Sequence, residues 1–194
     1  MRAIRVTVAA ISICALALFW TAPTVSASGD SGGGGGGSGR DGGRGGGVRD
    51  VQVRDECDAA SFNAVLGAGA CVTNGEVTFA EFSAELNPQD FGEDHWRFNP
   101  DHTEINRSEA LRPFNRGGET HTFTGVAAYG PGCVAALNEP LGLTGPPVVA
   151  DCQAAIAATR LAPGQSRTLT NLSPGVHRYE CLIHPWMRST VVVR

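Results

Sequence analysis

Three features of the sequence predict an all-β sandwich preceded by a short helical or irregular cap. Short alternating apolar and polar runs fill the C-terminal half, Gly, Pro and Asn bound them, and their spacing is that of a sandwich rather than of βαβ units. The predicted strands are 96–98, 103–106, 110–115, 120–126, 166–171, 176–181 and 190–194. Earlier in the chain the apolar residues of 58–66 and 79–86 recur at helical spacing, which predicts the cap. The stretch Asn74-Gly75-Glu76-Val77-Thr78-Phe79-Ala80-Glu81 imitates the end of a calcium loop. Counting back from Gly75 puts Ala70 and Val72 where oxygen ligands belong, so calcium is rejected.

The 194 residues divide by composition. Residues 1–27 have the order of a secretory signal: arginines at Arg2 and Arg5, an apolar run from Val6 to Trp20, then a small-residue site at Val25-Ser26-Ala27. The run is shorter than the ~20 residues that span a bilayer. An uncleaved anchor, or lipid on Cys14, would leave the location exported all the same: periplasmic, extracellular or cell-surface. Residues 28–47 are almost entirely Gly and Ser and predict a flexible linker. Their Arg-Gly-Gly character does not suggest RNA binding, because the chain carries a net charge of -4 and is read as exported. Residues 48–95 are read as the N-terminal cap or extension, and residues 96–194 as the β domain.

Six cysteines are present, and removal of Cys14 with the leader leaves an odd number. Cys57 with Cys71, and Cys133 with Cys152, each close a short loop and are expected to pair in an oxidising compartment. Cys181 is then left as a free thiol, for which metal coordination is the natural use.

The region around Cys181 reads Tyr179-Glu180-Cys181-Leu182-Ile183-His184-Pro185-Trp186-Met187-Arg188, a strand running into a tight loop. The Cys-x2-His-x2-Met spacing lets a thiolate, an imidazole and a thioether converge, a donor set that favours copper over calcium or magnesium. A blue copper site needs a second imidazole from a distant strand. His121, at the start of the strand that follows the Gly117-Gly118 turn, is the best placed. His95 and His102, beside an Asn-Pro turn, are the alternatives. His177 lies four strand residues before Cys181, more than about 10 Å along the strand, and is read as a packed, hydrogen-bonded core residue.

At these residues the chain resembles the cupredoxins, the small blue copper proteins, above all amicyanin-like and plastocyanin-like members with a short Cys-x2-His-Pro-aromatic-Met loop. The resemblance covers about 96–194. It implies a Greek-key β-sandwich binding one type 1 copper, with His121, Cys181 and His184 equatorial and Met187 axial. The chain departs from the pattern in an insertion around 130–160, which contains Cys133 and Cys152, and in Thr122 and His177, where many relatives carry Asn and Tyr. Thr122 leaves open what hydrogen-bonds the thiolate.

The implied function is one-electron transfer between a protein donor and a protein acceptor by a monomer, with no enzymatic step, no nucleic acid and no membrane span after removal of the leader. Copper holding or delivery is the alternative, but Met1 and Met187 are the only methionines, so no Met-rich tract exists. A metal-free adhesion module would not be expected to retain all four ligands. Zinc disfavours the thioether, and multicopper chemistry needs His-x-His, which does not occur. Cys181 and His184 lack an orienting partner for nucleophilic catalysis. An exposed edge of His184, flanked by Pro185 and Trp186, is the expected electron port and apolar docking patch.

Overall fold

The computed structural model describes residues 46–194, so the leader and nearly all of the linker lie outside the described residues. Strand β1 (Val48–Arg54) is followed by helices α1 (Ala59–Leu66) and α2 (Phe79–Ala84), then by strands β2 (Arg97–Asn99), β3 (His102–Ile105), β4 (Ala110–Asn115), β5 (His121–Thr122) and β6 (Thr124–Val126). The insertion carries α3 (Ala135–Asn138) and α4 (Cys152–Thr159). The chain then closes with β7 (Arg160–Leu161), β8 (Gly175–Glu180) and β9 (Arg188–Val193).

Two sheets form the all-β sandwich, in the orders β2-β1-β4 and β3-β9-β8-β6, and a short β5-β7 pair adjoins them. Period-2 burial marks the inward faces: β9 alternates half-buried and buried residues throughout, and β3 alternates exposed and buried ones. Val51, Val53, Phe98, Leu111, Phe123, Tyr179 and Val191 fill the core between the sheets. Phe123 stacks on Tyr179 at 4.3 Å between ring centroids and meets Phe98 edge-on at 5.0 Å.

The segment 48–95 is more than a cap. β1 is a sheet strand, parallel to β4 from Val48↔Ala110 to Val53↔Asn115 and antiparallel to β2. Its apolar alternation covers only Val51 and Val53, and its first three residues are exposed, so the strand pattern is weak in sequence. The two predicted helices are present. Asp58 caps α1 by accepting from the Ser61 N–H at 2.8 Å, and Thr78 with Glu81 forms a capping box on α2. The apparent end of a calcium loop is therefore a helix start, with Glu81 at its third position. Phe62, Phe79, Phe82 and Trp96 pack these helices onto the sandwich.

Two predicted strands differ. Residues 120–126 split at Phe123: His121 and Thr122 pair with β7, Thr124–Val126 pair with β8, and the Phe123 N–H bonds Thr159 O between them. Residues 166–171 make only isolated bridges to β4. Pro113 lies between those bridges with no N–H to donate, so it accepts from Arg167 and returns nothing. The insertion, for which no regular element was predicted, contains the eight-residue α4, capped by Asp151.

Both expected disulfides are present, Cys57–Cys71 and Cys133–Cys152, and among the described residues Cys181 is the free cysteine, and it is buried. No helix among the described residues is long and apolar enough to cross a membrane.

Candidate metal centre

The split strand and the β8–β9 loop bring three donors together. β5 presents His121 at its first position. Cys181 follows β8 directly, and His184 lies in the turn, which is closed by Met187 N–H to His184 O (2.9 Å) and Cys181 N–H to Met187 O (3.0 Å). Cys181 Sγ lies 3.9 Å from Nδ1 of His121 and 3.9 Å from Nδ1 of His184, and the two nitrogens are 3.2 Å apart. The point equidistant from these atoms is therefore about 2.1 Å from each, close to the length of a metal bond to imidazole or thiolate. The three residues form one buried cluster able to hold a metal ion.

Met187 is buried at the end of the same turn, tied by its backbone to both Cys181 and His184. The other histidines stand apart. His95 is half-exposed and bound to Glu93, and His102 is exposed on β3. His177 bonds Ser173 O at 2.7 Å as expected of a hydrogen-bonded residue, but it is partly exposed at the β8 start and not in the core.

Thr122 takes up the role left open for it. Its N–H donates to Cys181 Sγ at 3.4 Å, and its Oγ1 accepts from Leu182 N–H at 2.8 Å, tying the two ligand-bearing segments together. Burial would raise the Cys181 thiol, but the imidazoles of His121 and His184 hold it well below the usual thiol range. Burial likewise pulls His121 down, yet the Asp55 carboxylate and Cys181 push it up to about 10. Burial pushes the neighbouring Glu180 carboxyl up to about 7.

Asp55 was not legible as a site residue. Its Oδ2 lies 2.7 Å from His121 Nε2, and neither side chain is exposed. Glu119 stands behind the other imidazole, with Oε2 3.6 Å from His184 Nε2 while accepting from Trp96 Nε1 at 2.6 Å.

The expected exposed edge of His184 is absent. Its side chain is 4% exposed, and Pro185 is buried as well. Phe82 of α2 meets the ring at 6.3 Å and 90°, and Trp186 meets it at 5.3 Å and 70°. On another side, the insertion approaches the loop through Cys133 N–H, which donates to Leu182 O at 2.6 Å. Trp186 is half-buried, with Nε1 donating to Glu93 O, and lines a surface cavity of about 550 Å³ with Phe91, Asp101 and Arg188. Gly92, at φ 104°, packs so closely on the indole that a Cβ there would collide with it.

No family model matches the chain, and no curated protein matches it. The solved structures it is similar to include a purple cupredoxin from Nitrosopumilus maritimus, with 16% identity over 56% of this chain and 95% of that one and a TM-score of 0.36. They also include oxidised plastocyanin from Dryopteris crassirhizoma (16% identity, 75% of this chain and 100% of that one, TM-score 0.37). A reduced amicyanin variant matches at 22% identity over 50% and 73% of the two chains, with a TM-score of 0.33. The chain resembles the cupredoxins, and its buried His-Cys-His cluster has the composition of a type 1 copper site.

Proposed function

We propose that the chain is an exported, mononuclear type 1 copper protein that carries one electron at a time, with His121, Cys181 and His184 as equatorial ligands and Met187 as the axial one. The observation that carries this reading is the convergence of two Nδ1 atoms and one thiolate sulfur on a single buried point. Bound copper would supply a Cu(II)/Cu(I) couple there. Cys181 offers an anionic sulfur steadied by the Thr122 N–H, and the histidines turn their Nδ1 atoms inward while their Nε2 atoms face carboxylates. Because β5 and β8 are held by sheet pairing, the ligands have little freedom to rearrange between oxidation states.

A carrier fits better than an enzyme, since the enclosed cluster offers no position for substrate. With His184 covered, the route to a protein donor or acceptor runs through Trp186, which touches both the His184 ring and the surface cavity. The leader read in residues 1–27 and the two disulfides support export.

Ligand and relay variants test the reading together. Cys181→Ser is expected to abolish the thiolate-to-copper charge-transfer band, His121→Ala to distort it, and Met187→Gln to keep it while shifting the potential. Trp186→Ala should slow reduction in stopped flow with the visible spectrum nearly intact. Slow electron exchange by the wild type, together with ready copper release to a chelator, would favour copper holding instead.

A further inference from the structure

Asp55 directly follows β1, 66 residues before His121 in sequence, yet its carboxylate is the hydrogen-bond partner of that imidazole. Four N–H groups face it. Oδ2 lies 2.7 Å from His121 Nε2 and accepts from Glu119 N–H at 3.1 Å, while Oδ1 accepts from Gly118 N–H at 2.9 Å and Cys57 N–H at 3.3 Å. With His121 bound through Nδ1, its Nε2 carries the proton and donates, so every partner of Asp55 is a donor and the carboxyl is held as an anion. The Gly117-Gly118 turn is shaped around it, since a Cβ on Gly117 would collide with the carboxylate. Glu119 places a second carboxylate 3.6 Å from Nε2 of the other imidazole.

We infer that Asp55 is a positioning residue of the metal centre, and that with Glu119 it biases the site toward Cu(II) over Cu(I). The inference rests on the copper reading above. By holding the proton on Nε2, Asp55 fixes the tautomer that leaves the Nδ1 lone pair aimed at the cluster. Its charge acts through one ring width of protein interior, where solvent screens little, and attracts a dication more strongly than a monocation. Cu(II) with the thiolate and two carboxylates sums to one negative charge, and Cu(I) with the same groups to two. The second is the less favourable burial. The segment before the recognisable copper domain thus supplies part of the centre.

The test is the ratio of the Cu(II) and Cu(I) dissociation constants of the full chain, measured with competing chelators for each ion and checked by redox titration. Asp55→Asn keeps one acceptor for the turn and removes the charge. The Cu(II) constant is expected to rise relative to the Cu(I) constant by at least tenfold, which is an upward shift of about 59 mV. Glu119→Gln still accepts from Trp96 and is expected to move the ratio the same way by less, being farther from its imidazole and slightly exposed. It carries the test alone if Asp55→Asn does not fold. A ratio unchanged or moved the other way in the folded variants overturns the inference while the copper reading stands. A wild type that takes up no copper removes both.

Discussion

Thr122 shows how one side chain can join two ligand-bearing segments. Its Oγ1 is the acceptor for the buried Leu182 N–H, and its own N–H points at the thiolate, so it fixes Cys181 relative to His121 from both directions. Thr122→Val keeps the shape and removes the acceptor. It is expected to cost about 1–3 kcal/mol in urea unfolding of the metal-free protein, the penalty for an unpaired buried donor, whereas Thr122→Ser stays near wild type. At this scale the convergence of Cys181 and His184 was legible because their spacing is local and chemically unusual, and that of His121 because a Gly-Gly turn precedes it. Asp55 was not, since a lone acid at a strand end has many ordinary uses and its partner is distant in sequence. The position of His184 was legible, but its burial was not, because Phe82, which packs against its ring, comes from α2, far away in sequence.

Among the elements, α2 matters beyond packing. Phe82 fills the space between Phe62, Trp96 and the His184 ring, so Phe82→Ala leaves a cavity beside the metal loop. A destabilisation of about 3–5 kcal/mol is expected from chemical denaturation, together with faster oxidation by small inorganic oxidants as His184 is uncovered. The loop after α2 carries a pH-dependent contact. The Glu93 carboxylate, 2.6 Å from Nδ1, holds His95 above the usual imidazole range, with weaker opposing influences from burial and Arg97. Because the folded value is raised, the stabilisation is fully present below about pH 6.5, the unfolded value, and is lost as pH rises through the folded one. The stability difference between wild type and His95→Gln, read from urea midpoints of the metal-free protein, is therefore expected to be greatest in mild acid and to shrink toward alkaline pH. His95 is half-exposed, so the effect is small. Helices α1 and α2 were legible from apolar spacing, whereas α4 buries no residue fully and its Cys-Gln-Ala-Ala-Ile-Ala-Ala-Thr sequence has no marked polar face. Pro113 explains why 166–171 failed to become a strand, a result of pairing across the sheet that alternation alone does not reveal.

For the molecule as a whole, the sandwich places the His121–Cys181–His184 cluster and two segments outside the recognisable pattern enclose it. Residues 48–95 contribute a strand, the Asp55 carboxylate and the aromatic cover, and the disulfide-closed insertion lies along the loop. Burial of this kind shields the Cys181 thiol from oxidants and from other thiols, because it has no exposed surface. The most direct measurement of the central claim is titration of the metal-free, disulfide-intact protein with Cu(II), followed by optical and electron paramagnetic resonance spectra in parallel with Cys181→Ser. One equivalent of copper should bind and give an intense visible thiolate-to-copper band with the narrow copper hyperfine splitting of a covalent thiolate site, both missing in the variant. No uptake, a stoichiometry other than one, or a wild-type spectrum indistinguishable from that of Cys181→Ser would contradict it.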